Sequence, residues 1–356
     1  MKMRKILALA LSTSLSLGLL ASCNSPSQPS EPMGSTPTPP TSSTSTPPAA
    51  GSWKPDRSIK ALIGYGAGGS TDSAIRPLLS IAEGIAGQTI VVENTAGGSA
   101  SISFNSGVTA AADGYTLIIG AETPALYDAY DLIDYTYDDV TVIMVVADTD
   151  NSIFVSADSP YQTVQDLFDA EKANPGSVLK VASGNVGVNA TLSAVYKYTQ
   201  GVDFNSYTAD GSSSAVVTVM GGFADFGQGS LATLKDYWAN GDIRILCSNT
   251  VEPIHPDIPT ITEAYPEMAE YMPLNAFYTI CIQGDADQSV VDYYTDLFTQ
   301  AYNSKEYQDA LVNMGLNPVG LTGTEAREYV DTWRENALTV LTGTGAVNHT
   351  MEELGF

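Results

Sequence analysis

The sequence predicts an α/β protein built from two domains that are joined by two connecting segments. Residues 59–120 alternate between apolar strand-like runs and helical patterns, and residues 178–247 repeat that alternation. The strand-like runs are apolar along their length, which is typical of parallel sheets covered by helices on both faces. Polar stretches at 148–152 and 248–251 separate the two sets. The chain therefore leaves the first domain, builds the second and returns, and the cleft between such domains is the natural ligand site.

The domain boundaries follow from these crossings. We predict a first domain formed by residues 53–150 and 250–356, and a second domain formed by residues 151–249. The folded part begins near Trp53, and the chain that follows is long enough for two separate hydrophobic cores.

The individual elements are predicted from their apolar patterns and from the turn residues that bound them. In the first domain we expect strands 59–63, 88–93, 115–120 and 140–147, and helices 73–86 and 99–112. In the second we expect strands 153–156, 178–182, 204–207, 224–227 and 243–247, and helices 163–173, 190–198, 213–220 and one containing Leu231. The C-terminal part is predicted to hold strand 277–282 and helices 290–303, 305–314 and 324–341.

The N-terminus predicts export from the cytoplasm. A basic start precedes the apolar segment 6–20, which is short for a membrane span and typical of a secretory signal. The segment runs into Leu-Ala-Ser-Cys at 20–23, which resembles the lipobox of bacterial lipoproteins. This resemblance implies that residues 1–22 are removed and that Cys23 is lipidated, outside the cytoplasm on the membrane face or in the periplasm. The alternative is an ordinary signal with an incidental cysteine.

Residues 23–52 are predicted to tether the fold to that anchor. They are mostly Ser, Thr, Pro and Gln, and such a segment buries too little apolar surface to offset the entropy of ordering. The net charge of the chain is −25, and removing residues 1–22 takes away three positive charges and no negative ones, which gives −28. A chain this acidic is a poor partner for nucleic acid. Recognition of an anion would therefore depend on local backbone hydrogen bonds.

A glycine-rich stretch at 64–72 connects the first strand to the first helix. Glycines followed by Ser, Thr and Asp at a helix start leave backbone N–H groups free, and the helix dipole adds partial positive charge. This pattern favours binding of a small carboxylate. The candidate contacts are Tyr65, Gly66, Ala67, Gly68, Gly69, Ser70, Thr71 and Asp72.

A second stretch of the same kind, at 183–189, follows the predicted strand 178–182 and precedes a helix. If the two domains face each other, this loop supplies the other half of a carboxylate site. The candidate contacts are Ser183, Gly184, Asn185, Val186, Gly187 and Asn189.

Six short motifs together resemble the solute-binding component of tripartite tricarboxylate transporters, also called the Bug or TctC family. They are Gly66–Asp72 with Arg76, Val91–Asn94, Asp113–Leu117, Ala182–Asn185, Gly221–Asp225 and Asp257–Thr260. The resemblance implies a type II periplasmic-binding-protein fold that closes on a carboxylate-bearing solute and delivers it to a membrane permease. Di- and tricarboxylates, amino acids and aromatic acids are the expected solutes. We expect a monomer without a cofactor.

The sequence departs from the family pattern in the first predicted loop and in a third loop, which follows the predicted strand 115–120. Tyr65 and Ala67 stand where phenylalanine and proline are usual, and Tyr65 can add a hydroxyl donor. The third loop, usually rich in Gly, Ser and Thr, contains Glu122 and Thr123, which we include as candidate contacts. A glutamate in the cleft would repel a polycarboxylate and favour a solute with a cationic or hydroxyl group. The alternative is a Glu122 that faces solvent.

Other residues have two interpretations each. Pro77 predicts a kink or a later start of the first helix. Asp72 either accepts from the solute or a bridging water, or merely complements the helix dipole, and Arg76 is expected to pair with a structural carboxylate. Asp225 faces the cleft in the family pattern, or it holds a turn. The tyrosines at 127–137 form a lid or, as favoured, a polar surface loop.

The alternative functions are an enzyme and a ligand-binding sensor of the same fold. His255 and His349 have no evident nucleophile or carboxylate partner by position, and no complete nucleotide-binding motif is present. Cys247 and Cys281 form a disulfide or, as favoured, are small buried hydrophobes, and no spacing indicates a metal site.

Overall fold

Two mixed β-sheets form the framework of the protein. The computed structural model describes residues 53–182, 186–208, 212–272 and 274–356. Within these ranges the strands are β1 Ile59–Ile63, β2 Ile90–Asn94, β3 Thr116–Gly120, β4 Val140–Thr149, β5 Ser152–Ser156, β6 Leu179–Ala182, β7 Asn205–Thr208, β8 Phe226–Gly229, β9 Ile243–Ser248, β10 Ala276–Gln283 and β11 Asn317–Thr322. The helices are α1 Ser70–Ala86, α2 Ser101–Val108, α3 Val164–Ala173, α4 Val188–Gln200, α5 Ser212–Met220, α6 Leu231–Ala239, α7 Ile261–Ala264, α8 Gln288–Tyr302, α9 Lys305–Met314 and α10 Gly323–Gly343. None of the helices in these ranges combines the length and apolar character that a bilayer span requires.

The strand order of the first sheet is β11-β4-β10-β3-β1-β2, and that of the second is β7-β6-β8-β5-β9. Strands linked through helices pair in parallel, namely β1 with β2 and β3, and β6 with β7 and β8. Strands that flank the crossings are antiparallel, namely β4 with β10 and β5 with β9. The prediction of parallel sheets is therefore incomplete, because a chain that leaves through one strand and returns through its neighbour must reverse direction.

The two crossings lie side by side. The first connects β4 to β5, and the second leaves β9 at Ser248. The backbone N–H of Asn249 donates to the carbonyl of Asn151 at 2.7 Å, and its Nδ2 donates to Asn151 Oδ1 at 3.0 Å. The sheets assign β1–β4 and β10–β11 to one group and β5–β9 to the other. We propose that these groups are the two domains, with the boundaries 53–150, 250–356 and 151–249.

The tyrosines between 127 and 137 include two that are fully buried. Tyr127 and Tyr137 are 0% and 1% exposed, and both rings pack edge-on against Phe104. Their hydroxyls donate to the carbonyls of Ser99 and Ala121, respectively. The predicted polar surface loop is therefore wrong here, because the rings complete the core while backbone acceptors satisfy the hydroxyls.

A buried arginine on α10 fixes the start of the same segment. Arg334 is 5% exposed, and its guanidinium forms a bidentate pair with Asp128, with N–O distances of 3.0 and 2.6 Å. It also donates to the carbonyl of Ala125. A bidentate pair of this kind holds its partner in one orientation. The loop after β3 is thereby attached to the C-terminal helix.

Several elements differ from the prediction. Helix α1 begins at Ser70, before the predicted start, so Pro77 lies inside the helix and does not delay it. Helix α2 is shorter than predicted and begins only at Ser101. Strand β11 was not predicted, because Pro318 and Gly320 weaken its pattern and its pairing with β4 is a tertiary contact.

The two cysteines of the described ranges are unpaired and buried. Cys247 lies in β9 of the second sheet, whereas Cys281 lies in β10 of the first. Each is 0% exposed, and burial raises the pKa of the Cys281 thiol to about 12 and that of the Cys247 thiol well above its usual value. They are small hydrophobic core residues rather than a disulfide.

Candidate functional site

The loop at 64–72 is held in shape by the carboxylate of Asp72. This side chain is 3% exposed and accepts from Gly68 N at 2.9 Å, Asn94 Nδ2 at 3.0 Å and Arg76 Nε at 3.1 Å. Burial raises the pKa of Asp72, but the hydrogen bonds from Arg76, Gly68 and Asn94 outweigh that effect and hold the pKa below its usual value. Asp72 and Arg76 therefore form a structural pair, and Asp72 shapes the loop from within.

The start of α1 leaves backbone donors unused. Its N-cap residue, Gly69, provides no side-chain cap, and Ser73 N makes the first bond, to Gly69 O at 2.8 Å. Within the described ranges, the N–H groups of Ser70, Thr71 and Asp72 donate to no protein acceptor. The preceding Gly66, Ala67 and Gly68 are exposed, and Gly68 has a φ of +76°. The N–H groups of Ser70, Thr71 and Asp72 can bind an anion at the positive end of the helix dipole.

A strained turn supports this loop from behind. Ser99 and Ala100 have φ angles of 54° and 71°, which non-glycine residues rarely adopt. A Cβ placed on Gly64 would lie 2.4 Å from Ala100 Cβ, so only glycine allows this approach. The sequence analysis placed Ser99 in a helix and missed this contact. The glycines at 97–98 were the available signal.

Glu122 and Thr123 reach from the first sheet to the start of α4. Thr123 Oγ1 is 2.7 Å from the Tyr65 hydroxyl, which joins the third loop to the first. Glu122 Oε1 accepts from Val188 N at 3.3 Å. A Cβ on Gly187 would lie 2.5 Å from that oxygen, and Gly187 has a φ of +97°. Glu122 is therefore partly buried between the sheets and does not simply face solvent.

The second loop is described only in part, because Ser183, Gly184 and Asn185 lie outside the described residues. Val186 and Gly187 are buried, and α4 begins at Val188, which is earlier than predicted. The side chain of Asn189 accepts from Asn151 Nδ2 at 2.9 Å, so it contacts the first crossing. We call the space bounded by residues 65–72, 122–123 and 186–189 the cleft.

Lys180 lies behind the start of α4 and was missed by the sequence analysis. It is 2% exposed, and its Nζ donates to Asn189 O at 3.2 Å and to the hydroxyl of Ser193. Burial lowers its pKa to about 8, and the negative charge of Asp203 opposes this only partly. A single lysine within an apolar strand was the signal in the sequence. The residue places a buried positive charge next to the second loop.

The charge of Glu122 acts on the hydroxyls of three tyrosines. Burial raises the pKa of Tyr65, Tyr127 and Tyr278 above the usual range, and the nearby charge of Glu122 raises each further. Burial also raises the pKa of Glu122 itself, although backbone N–H donors oppose this. The cleft therefore combines backbone donors on α1 with hydroxyls and one carboxylate.

Asp225 lies away from the cleft. It is exposed, and it precedes β8 at the end of the parallel strands β6 and β8 that is opposite to the loop at 183–189. Its Oδ2 accepts from Leu179 N at 2.7 Å, and its own N–H donates to Leu179 O. Asp225 therefore holds two strand ends together, and we leave it out of the site proposed below.

The two histidines lie in surface contacts. His349 Nε2 is 2.9 Å from Asp131 Oδ1, so His349 does have a carboxylate partner, one that its position in the sequence does not reveal. His255 packs edge-on against Trp238. No cluster of three or more His, Cys, Asp or Glu side chains in the described ranges is arranged to hold a metal ion.

Comparison with known proteins decides the family. Residues 75–337 match the family model described as "Tripartite tricarboxylate transporter family receptor". The chain belongs to this family. Two curated relatives agree: the "UPF0065 protein in gbd 5'region" of Cupriavidus necator is 27% identical, covering 77% of this chain and 84% of that protein. The protein BugT of Bordetella pertussis is 24% identical, and the match covers 78% of this chain and 86% of that protein.

Solved structures share the fold of this receptor. An R. palustris protein solved with adipate superposes with a TM-score of 0.74 at 22% identity, covering 82% of this chain and 98% of that one. MatC from Rhodopseudomonas palustris with bound malate superposes with a TM-score of 0.68 at 17% identity. The match covers 80% of this chain and 99% of that one. The periplasmic-binding-protein fold expected from the sequence is thus confirmed. The tripartite tricarboxylate transporter receptors are extracytoplasmic solute-binding proteins rather than enzymes.

Proposed function

We propose that this receptor captures a small carboxylate-bearing solute in the cleft and delivers it to a membrane permease of the tripartite tricarboxylate transporter type. The observation that carries the proposal is the free backbone N–H groups at the start of α1. The same loop contacts Thr123 through Tyr65, and the adjacent Glu122 contacts the start of α4. Anions bind well where uncapped N–H groups and a helix dipole coincide.

The ligands of structural neighbours support the same class of solute. One neighbour was solved with adipate and another with malate, and both are carboxylates. A hydrogen bond from a backbone N–H to a charged carboxylate contributes about 1.5–3 kcal/mol. Three such bonds and a helix dipole approach the ~8 kcal/mol of micromolar binding, before the costs of association. A net charge of −25 therefore does not prevent local recognition of an anion.

Isothermal titration calorimetry and thermal unfolding against mono-, di- and tricarboxylates and amino acids test the proposal. At a hundredfold excess over Kd, a true solute stabilises the folded protein by about 2.7 kcal/mol. Uncharged amides of the same acids serve as the matched control and should give no shift. If no carboxylate in the panel binds, the proposed function is wrong.

We also propose that Cys23 is lipidated and anchors the receptor outside the cytoplasm. The Leu-Ala-Ser-Cys sequence and the apolar segment before it support this. Mass spectrometry of the protein from its native membrane should detect a diacylated Cys23 after loss of residues 1–22. Cys23→Ser should release the protein from the membrane fraction, and an unmodified Cys23 in the wild type would contradict the anchor.

A further inference from the structure

The start of α4 is already occupied by a carboxylate that belongs to the protein. Glu122 Oε1 accepts from Val188 N at 3.3 Å, at the position where a second carboxylate of the solute would otherwise bind. The fit is close, because a Cβ on Gly187 would lie 2.5 Å from the same oxygen. A dicarboxylate bridging α1 and α4 would have to displace Glu122 or lie against its charge.

This carboxylate has no cationic partner among the residues that the structure describes. The ion pairs of those residues do not include Glu122. The nearby buried cation, Lys180, donates instead to Asn189 O and to the hydroxyl of Ser193. A partly buried carboxylate without a cation is costly, and a positive group on the solute would offset that cost.

The surroundings of Glu122 also suit a cationic group. Tyr65 lies near this carboxylate, because its hydroxyl is 2.7 Å from Oγ1 of the adjacent residue Thr123. A solute ammonium is attracted to a carboxylate, and a tyrosine hydroxyl oxygen can also accept a hydrogen bond from it. At the other end of the cleft, the N–H groups of Ser70 and Thr71 are suited to an anion.

We propose that Glu122 selects a solute that carries one carboxylate and one protonated amine, with the carboxylate bound at the start of α1 and the amine bound by Glu122. The proposal rests on the proposed function, since it assumes that the cleft binds a carboxylate at all. It assigns Glu122 as the residue that discriminates against dicarboxylates of the same length.

Pairs of solutes that differ only at one end test the selection. Glutarate and 4-aminobutanoate share three methylenes, as adipate and 5-aminopentanoate share four, and common α-amino acids extend the panel. By calorimetry, the wild type should bind at least one amino acid tenfold or more tightly than the dicarboxylates. Glu122→Gln should weaken that binding at least tenfold and narrow or reverse the preference. Glu122→Asp, which keeps the charge, should retain the preference.

Glu335→Gln is the matched control, because it removes one carboxylate from the exposed face of α10 and should leave every affinity unchanged. Circular dichroism and thermal unfolding establish that each variant is folded. If the wild type prefers dicarboxylates and Glu122→Gln leaves that preference unchanged, the inference is overturned while the proposed function stands. If no solute of the panel binds, both are overturned.

Discussion

At the scale of single residues, two buried charged side chains next to the cleft form hydrogen bonds with the protein itself. The carboxylate of Asp72 accepts hydrogen bonds from Gly68, Asn94 and Arg76. The ammonium of Lys180 donates to Asn189 and Ser193. Both side chains are almost fully buried. The N–H groups of Ser70 and Thr71 remain free for the solute in the site that we propose.

Asp72→Asn should destabilise the protein and distort the first loop. The substitution removes a charge-assisted acceptor shared by three donors, and we expect a loss of about 1–3 kcal/mol in the free energy of unfolding by urea denaturation. Because the folded pKa of Asp72 is lowered, this stabilisation is present above the unfolded pKa and is lost as pH falls through the folded pKa. The exposed pair Lys305–Asp309 provides the control, since Asp309→Asn should change stability by less than about 0.5 kcal/mol. Equal losses in the two variants would contradict the role of Asp72.

Lys180→Met should change the pH dependence of stability. The folded pKa of Lys180 is about 8, below its usual value of 10.5, so between these values the unfolded chain binds more protons and stability rises with pH. We expect the wild type to gain about 2 kcal/mol from this group between about pH 7.5 and 9.5, and the variant to lack that gain. Urea unfolding across this range measures the difference. If the unfolding free energies of the two proteins change with pH in the same way, the lowered pKa of Lys180 is wrong.

At the scale of elements, the sequence predicted helices and strands better than it predicted their ends. The starts of α1 and α4 lie earlier than predicted because Gly69 and Gly187 act as N-caps without a side-chain acceptor, which the usual Ser, Thr or Asp signal does not reveal. Strand β11 exists through its pairing with β4. The two loops of the proposed site were predicted from their glycine content, whereas the turn at Ser99 and Ala100 depends on contacts between elements.

Gly187→Ala tests the close approach between the third loop and α4. The φ of +97° is strained for alanine, and the added Cβ would lie 2.5 Å from Glu122 Oε1 and 3.0 Å from Thr123 Cγ2. We expect solute binding to weaken at least tenfold, because the loops can no longer meet. Gly201→Ala, at the other end of α4, shares the positive φ but meets no atom within 4 Å. It should lose about 1 kcal/mol of stability and keep its affinity.

At the scale of the whole molecule, the two sheets and their crossings were predictable from the sequence, whereas the contact between Glu122 and the start of α4 was not. Composition and strand order indicated two α/β sets, and the family assignment followed from six motifs. That Glu122 reaches Val188, 66 residues further along the chain, depends on how the two sheets face each other. Local patterns therefore predicted the loops of the proposed site and Glu122 as a candidate contact, but not the hydrogen bond that Glu122 accepts from Val188.

Asn249→Ala tests how the crossings support the cleft. Asn249 is 1% exposed, donates to Asn151 and accepts from the hydroxyl of Tyr196 at 2.7 Å. Removing its amide leaves the O–H donor of Tyr196 and the Oδ1 acceptor of Asn151 without this partner. We therefore expect a loss of about 1–3 kcal/mol in unfolding free energy and weaker solute binding. Asn313→Ala, on the exposed face of α9, should alter neither quantity. An unchanged solute affinity in Asn249→Ala would show that this contact between the crossings does not support solute binding.

The paired asparagines have a further consequence for how opening can be observed. The amide hydrogen of Asn249 is bonded to Asn151 O at 2.7 Å, so its exchange with deuterated solvent requires the crossings to part. Asn151 is in turn bonded through its side chain to Asn189 at the start of α4. The rate of deuterium uptake at this one peptide group therefore reports how often the two crossings separate. Mass spectrometry can measure it on the unlabelled wild-type chain.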